Sequence, residues 1–482
     1  MSLTGALYNA FSGLKANSRA AALVSTNISN ATTESYGRRE LAVSAGAVGS
    51  HGGVVINGVI RHSDPVLMAD RRLSDASMGA AGDMYAFASR MEDLVGETGT
   101  PGSLTDRVTA LENALINAAS NPASTQRLEN ISTTANDLAK TINTLSDEVQ
   151  VARQSADATI ARHVQTLNET VARLDEINDD VIKANSTGGD VSTLLDERQR
   201  LIDGISEIVP LRVVARDRGE IALFTRGGAV LLDGRPMEVG FEPTLSIGAG
   251  MTLAGGQLNG LTLNGLDVNS TDAGMFAGGS LGAQFELRDV ATVERQSQLD
   301  GIARDLIERL GPGGPDITLG ATDPGLFTDA GIAFDPLNEA GIAGRLEINS
   351  LVAPGSGEAW RLRDGLGAAT QGEVGDASLL TAISAALEEP VLPGSTSLDS
   401  VPRSFINQVS GFASDVVGTR VRAENERAFT ISQNTGLKEL ELSKGVDTDQ
   451  ELQRLMQIEQ LYTANAKVMS TVDQLLERLM SI

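Results

Sequence analysis

The stretch TDQELQRLMQIEQLYTANAKVMSTVDQLLERLMSI, residues 448–482, carries two apolar rows on one helical repeat. Leu455, Ile458, Tyr462, Asn465, Met469, Val472, Leu476 and Leu479 alternate at spacings of three and four, the rhythm of a seam between helices. A flanking row, Leu461, Val468, Leu475 and Ile482, returns at every seventh residue. Two adjoining rows make a face too broad for one partner helix. Asp447 or Thr448 is placed to cap the start, with Glu451 in the first turn. At ~1.5 Å per residue the helix reaches roughly 50 Å and runs to the last residue.

The other end of the chain has the matching pattern. Leu3, Leu7, Ala10, Leu14, Asn17, Ala21, Val24 and Ile28 follow a four-three rhythm, widened by Phe11 and Leu23. Each terminal seam contains an asparagine, Asn17 and Asn465, a residue that fixes register at some cost in stability. Residues 1–40 are net +2, with Lys15, Arg19, Arg38 and Arg39 against Glu34 and Glu40. Residues 447–482 are net −3, so the two ends attract. Chain ends fray unless tied down; these are patterned to dock on each other and on something else. The polar stretch TNISNATTESYGRRE, residues 26–40, then reads as the linker out of the first helix. Asn27 and Asn30 suit helix C-caps, and the other polar side chains are free to bond backbone on neighbouring subunits.

Between the ends lies more helix. The stretch GSLTDRVTALENALINAASNP, residues 102–122, is one, stopped by Pro122. From Leu128 a second seam runs through Ile131, Ala135, Leu138, Ile142, Leu145, Val149, Ala152 and Ala156, slips near Ile160, and resumes at Val164, Leu167, Val171 and Leu174. Apart from a break at 186–190, helix is expected to Pro210. From 211 the period changes to short β-rich runs between Asp-Arg-Gly, Gly-Gly and Asp-Gly turns. The expected organisation is α+β: an elongated helical rod built from both chain ends, coiled-coil-like, with a β-rich middle inserted. Residues 1–35 and 447–482 are the terminal helices; 36–210, 280–312 and 380–446 the rod; 211–279 and 313–379 the β-rich outer domain.

Composition narrows the function. A formal charge of −25 disfavours nucleic acid and anionic membrane surfaces. Aromatics at 3% are poor material for a deep ligand pocket, so the cores must come from Leu, Ile, Val and Ala. No stretch approaches the roughly 20 apolar residues of a membrane helix, and the N-terminus lacks the basic and apolar regions of a secretory signal. Zero cysteines remove disulfides, thiolate metal sites and thiol catalysis, and suit a chain exported unfolded.

Catalytic patterns are not found. His51, His62 and His163 are scattered without acidic ligand spacing and read as surface or helix-face residues. The Gly-rich run near Gly311 is not followed by the helix a phosphate cradle needs. Residues 266–274 resemble a calcium loop at Asp267 and Asn269, but Gly274 is misplaced and position twelve is Gly278, so they read as a turn. Asp179-Asp180 and Glu388-Glu389 read as solvated charges, and Trp360 as a core or edge anchor. No metal, cofactor or enzymatic activity is expected.

Several blocks together resemble a known family. ALYNAFSGLKANSRAAALVSTNISNATTESYGRR (6–39) and GVDTDQELQRLMQIEQLYTANAKVMSTVDQLLERL (445–479) resemble the paired ends of bacterial flagellar axial proteins. GGDVSTLLDERQRLIDGISEIVPLRVV (188–214), GGSLGAQFELRD (278–289) and QLDGIARDL (298–306) are similar to the first hook-associated protein, the FlgK family. Thr33-Glu34-Ser35-Tyr36 stands where that family often has Thr-Pro-Gly-Tyr, which bears on the turn after the first helix. The resemblance implies a structural subunit of the hook–filament junction, extracellular in the flagellum after type III export without a cleaved signal. It further implies copies of itself in a ring or helical layer, the hook protein, the next junction protein or flagellin, and an export chaperone on the C-terminal helix as partners. Another axial protein, or a secreted adhesin or enzyme with a β domain on a helical stalk, are the alternatives; a buried polar cluster within 211–380 would favour the second.

Overall fold

The computed structural model describes residues 3–46, 52–268 and 274–480; His51, Asn269 and Ile482 of the sequence reading lie outside them. The chain opens with α1 (Leu3–Ser29), followed by an antiparallel hairpin, β1 (Arg38–Ala45) and β2 (Val54–His62). Arg38 pairs with His62 and Ala45 with Val54, with a register shift between Ala42 and Val43. This hairpin falls inside the region expected to be helical. Its strands are half-exposed on both faces and carry Arg, Glu and His, so they lack a clean apolar alternation.

Helix α2 (Pro65–Val95) begins where its sequence dictates. Asp64 accepts from the N–H groups of Val66 and Leu67, and Pro65 fills the first position, whose N–H has no partner anyway. Ser103 caps α3 (Leu104–Ser120) by accepting from Asp106 N at 3.2 Å. The long α4 (Thr125–Thr187) ends at Gly188, whose φ of 70° supplies the left-handed C-cap. Then come α5 (Ser192–Ser206) and two three-stranded antiparallel sheets: β3 (Leu211–Ala215), β4 (Ile221–Thr225) and β5 (Val230–Leu232), then β6 (Val239–Gly240), β7 (Leu261–Leu263) and β8 (Leu266–Val268).

Helix returns with α6 (Gly279–Glu286), which passes through a π turn at Leu287–Ala291 into α7 (Thr292–Arg309). Beyond it lie β9 (Phe327–Asp329), α8 (Ile342–Arg345), β10 (Leu346–Ile348) and α9 (Arg361–Asp364), then α10 (Ser378–Glu388), α11 (Phe405–Ser443) and α12 (Thr448–Met480).

Two cores share α4. Its first half, Leu128 to Val149, packs with α3, α7, α10 and the start of α11. Its second half, Ile160 to Leu174, packs with α5, β3, β4 and α6. The slip in the α4 seam is the place where one core gives way to the other. Arg153 and Asp157 are buried there, and Arg288 Nη1 donates to Asp157 Oδ1 at 2.7 Å with both side chains fully buried. Arg153 Nε donates to Arg288 O at 2.8 Å, and the Arg288 guanidinium lies 4.9 Å from the Phe285 ring centre. Ions therefore occupy the seam positions that apolar periodicity could not fill.

Residues 313–379, expected to be β-rich, hold only the three-residue strands β9 and β10 among the described residues. Leu326, Phe327, Ile342, Leu346, Val352 and Leu362 instead enter the first core. Their irregular backbone is held by side chains: Asp300 accepts from Gly341 N and Ala343 N, and Asn349 donates to Gly325 O.

Candidate assembly interface

Helices α1 and α12 pack antiparallel. Gly13 faces Asn465, and Asn27 meets Glu451 at the other end of the pair. A Cβ on Gly13 would stand 2.8 Å from Asn465 Nδ2, so glycine sets the close approach of the two helices. From α1 the contact buries Ala10, Gly13, Ala16, Val24 and Asn27; from α12 it buries Glu451, Ile458 and Val472. Leu3, Leu7, Leu14, Asn17, Ile28 and Asn30 on α1 and its exit, and Leu455, Asn465 and Met469 on α12, are half-buried.

The second row of α12 stays in solvent. Leu461 is 56% exposed, Val468 45% and Leu475 43%. Tyr462, Leu476 and Leu479, from the seam row, are also exposed, as are Leu452, Met456 and Met480. On α1, Tyr8 and Phe11 are exposed too. So the α1–α12 pair uses one side of a broad apolar face and leaves a stripe of large side chains uncovered in the single chain.

The polar linker that follows α1 is a joint, not a spacer. Asn27 is fully buried and uses both ends of its amide. Nδ2 donates to Arg39 O at 2.9 Å and to Glu451 Oε2 at 3.0 Å; Oδ1 accepts from Tyr36 Oη at 2.8 Å and Arg39 N at 2.9 Å. This corrects its reading as a helix C-cap. Asn30 does act on the last turn, donating from Nδ2 to Thr26 O at 2.9 Å. Asp447 caps α12 through Asp449 N and Gln450 N, while Glu451 turns away to Asn27 and to Arg38, 3.2 Å distant. Arg454 pairs with Glu40.

The linker's other side bonds the body within the same chain, where the sequence reading had it free for neighbouring backbone. Ser35 adopts φ 63°, a left-handed conformation that favours glycine, the residue the resembled family often has there. Its Oγ donates to Asp203 Oδ2 at 2.9 Å. Gly37 N donates to Asp196 Oδ1 at 3.0 Å, and Arg39 and Arg61 pair with the two oxygens of Asp196. Behind them Arg71 and Arg72 share Asp203, and Arg71 also reaches Asp75 and Glu441, each at 2.6 Å. Burial works to raise the Asp203 carboxyl, but Arg72 and Arg71 outweigh it and hold it below its usual value. Glu40 is also held low, chiefly by the hydrogen bond from Arg454. A cleft of about 440 Å³ opens here, between the 30–36 turn, α2, α5 and the joint at Gly445 and Val446.

None of these carboxylates could be placed from spacing, because Asp196, Asp203, Glu441 and Glu451 come from distant parts of the chain. The available signal was compositional: Arg38-Arg39 and Arg61 in one part of the chain, and Asp196 and Asp203 in α5.

Elsewhere, His163 Nε2 lies 2.9 Å from Ser280 Oγ, and Ser280 donates to Asp83. The serine stands between imidazole and carboxylate, so no carboxylate orients the ring as a hydrolytic triad requires. Burial pushes the His163 pKa down. His62 is exposed beside Glu40, 3.2 Å away. Asp179 and Asp180 are exposed, and Trp360 stacks with Arg361 at 4.6 Å. Among the described residues no group of three His, Cys, Asp or Glu is placed to hold a metal ion, and no helix is long and apolar enough to cross a membrane.

The chain is thus a long helical body carrying a paired set of terminal helices, with an uncovered apolar stripe on one of them. Residues 442–482 match the family described as flagellar basal body rod FlgEFG protein C-terminal, and residues 88–311 match the flagellar hook-associated protein FlgK helical domain. Residues 88–311 are thus similar to the helical domain of the FlgK family. Flagellar hook-associated protein 1 of Salmonella typhimurium is 26% identical over 242 residues, 48% of this chain and 43% of that protein. The Escherichia coli protein of the same name is 25% identical over 243 residues, covering 48% and 44%, and that of Bacillus subtilis 24% over 235 residues, covering 46% of each. Each alignment spans less than half of the relative's length. The flagellar hook junction protein FlgK from Burkholderia pseudomallei superposes over 54% of this chain and 46% of that one, with a TM-score of 0.44 and 16% identity.

Proposed function

We propose that this chain is a structural subunit of the bacterial flagellum at the hook–filament junction, assembled through its terminal helices. The observation that carries the reading is the exposed row Leu461, Val468 and Leu475 on a helix whose adjoining row, at Ile458 and Val472, is buried on α1. Burying one such side chain fully against a neighbour contributes roughly 1.5–3 kcal/mol. A stripe of six or more therefore rewards ordered packing of copies around an axis. Its neighbours are sister copies, the hook protein on one side, and the next junction protein or flagellin on the other. Before export by the type III route, a chaperone would cover the α12 stripe, and the assembled subunit lies outside the cell.

Electron microscopy of cells lacking the gene tests this. Hooks without filaments, restored by the intact chain and not by a chain with Leu461→Asp and Leu475→Asp, is the expected result. Normal filaments in the deletion strain would refute it.

A further inference from the structure

A second cavity, about 630 Å³, lies between the first turns of α2, α5 and β3. Its apolar wall includes Met68, Leu73, Ile202 and Val213. Its charge comes from Arg61, Arg72, Arg198, Arg212 and Arg226, and no carboxylate among the described residues lines it. In a chain with 63 acidic and 38 basic residues that is a local reversal of sign.

Arg61 and Arg72 are ion-paired, and Arg198, Arg212 and Arg226 are not, among the described residues. Arg61 shares Asp196 with Arg39, and Arg72 shares Asp203 with Arg71. Arg198 donates to neutral acceptors, Gly219 O at 2.8 Å and Asn178 Oδ1 at 3.4 Å. No described carboxylate forms an ion pair with Arg198, Arg212 or Arg226. Arg72 is 4% exposed, and its Nη2 has no hydrogen-bond partner among the described residues. Burial, with repulsion from Arg61 and Arg72, pushes Arg198 down to about 10. A cavity with this lining favours a carboxylate carried on an apolar segment.

Such a segment lies at the opposite end of the body. Glu388 and Glu389 are exposed, neither carboxylate is ion-paired among the described residues, and Val391 and Leu392 beside them are exposed as well. The field of Glu388 adds to burial in raising the pKa of Glu112. A β-bridge from Val391 to Arg403 fixes this segment beside the first turn of α11. The last turn of α11 holds Glu441, which reaches Gln199 on the cavity wall. The 39 residues of α11 span about 58 Å, so one chain cannot bring the two features together.

We propose that the arginine-lined cavity receives the Glu388–Glu389 pair of a second copy of this chain, joining copies head to tail along the body. The contact is heterologous, the kind that builds open helical layers. It rests on the reading of the chain as an assembling subunit.

Sedimentation velocity of the full chain across a salt series provides the test. The intact chain is expected to self-associate, more weakly as salt rises. Arg212→Glu with Arg226→Glu, and separately Glu388→Arg with Glu389→Arg, should each weaken association about tenfold or more. Mixing the two charge-reversed proteins in equal amounts should restore it. All four positions are exposed, so thermal unfolding of each variant should match that of the intact chain. Unchanged association in both variants, with Leu475→Asp abolishing it, overturns this proposal alone. Loss in the arginine variant with the glutamate variant unaffected overturns the named occupant. An intact chain that stays monomeric at low salt overturns both this proposal and the assembly reading.

Discussion

Asn27 and Glu451 are 424 residues apart in sequence and 3.0 Å apart in the fold. The amide of one and the carboxylate of the other lock the exit of α1 to the entry of α12, so the two ends of the chain leave the body as one unit. Four hydrogen bonds converge on Asn27, and Arg38, Tyr36 and Arg39 close around it.

Asn27→Ala should therefore loosen the terminal pair without melting the body. It strands Tyr36 Oη and Arg39 N and leaves Glu451 with Arg38 alone, at a cost of about 1–3 kcal/mol for the unmet groups. Hydrogen exchange should show faster opening across 448–480 and unchanged protection in α4. Equal loss in both regions would mean that the joint also supports the cores.

Asp157→Ala addresses the division between the cores. It leaves the buried Arg288 with Asp289 as its remaining partner and frees Thr244 N, which Asp157 accepts at 2.7 Å. Breaking a buried pair from one side costs about 3–5 kcal/mol. The melting temperature should fall sharply, and Asp157→Ala with Arg288→Met should recover part of the loss.

The long helices α1, α3, α4 and α12, the break at Gly188 and the α12 cap were legible in the sequence because they rest on local rules. The 3.6-residue period, Asp447 before the first turn, and Gly188 after α4 each act within a few residues. The slip in the α4 seam near Ile160 was visible, but its cause was not, since Arg288 arrives from 131 residues beyond Asp157. The β1–β2 hairpin was missed because both its faces are half-wet, although the β-branched run Val54-Val55-Ile56 beside glycines was a usable signal. The joint was illegible for a different reason. Its partners come from α1, β1, α5, α11 and α12, and only the tertiary fold assembles those charges.

Gly13 gives a steric test of the α1–α12 pair. Gly13→Leu drives a side chain into Asn465, and α12 should undock, with lower helicity and faster proteolysis of residues 448–480. Asn465→Ala in the same chain opens space and should restore docking in part. A double-mutant cycle that sums without coupling would show that the two residues do not touch in solution.

The two rows of α12 should respond oppositely to charge. Ile458→Asp, at a buried position, is expected to undock α12 from α1 in the single chain. Leu461→Asp, three residues on and exposed, should leave the unfolding of the monomer within about 0.5 kcal/mol of the intact protein. It should nonetheless block incorporation into the flagellar axis. A destabilised Leu461→Asp monomer would place that row inside the chain's own packing.

Acid should separate the joint from the body. Asp203 is held low by Arg72 and Arg71 against the opposing effect of burial, and Glu40 by Arg454. A depressed carboxyl contributes stability above its unfolded value, near 4, and that contribution is lost as pH falls through the folded value. Glu112, Asp300 and Asp305 in the body run the other way: burial raises all three. Their contribution is fully present below about 4 and is lost as pH rises through their raised folded values. Acidification thus weakens the contacts of the linker with the body and of β1 with α12, while relieving buried charge around α3 and α7. Hydrogen exchange corrected for intrinsic rates, followed from neutral pH to about 3, should show 27–39 and 448–480 losing protection before α4. Glu112→Gln should raise the melting temperature at neutral pH and lose that advantage in acid. If α4 opens at higher pH than α12, the arginine–carboxylate joint is not what ties the terminal pair down.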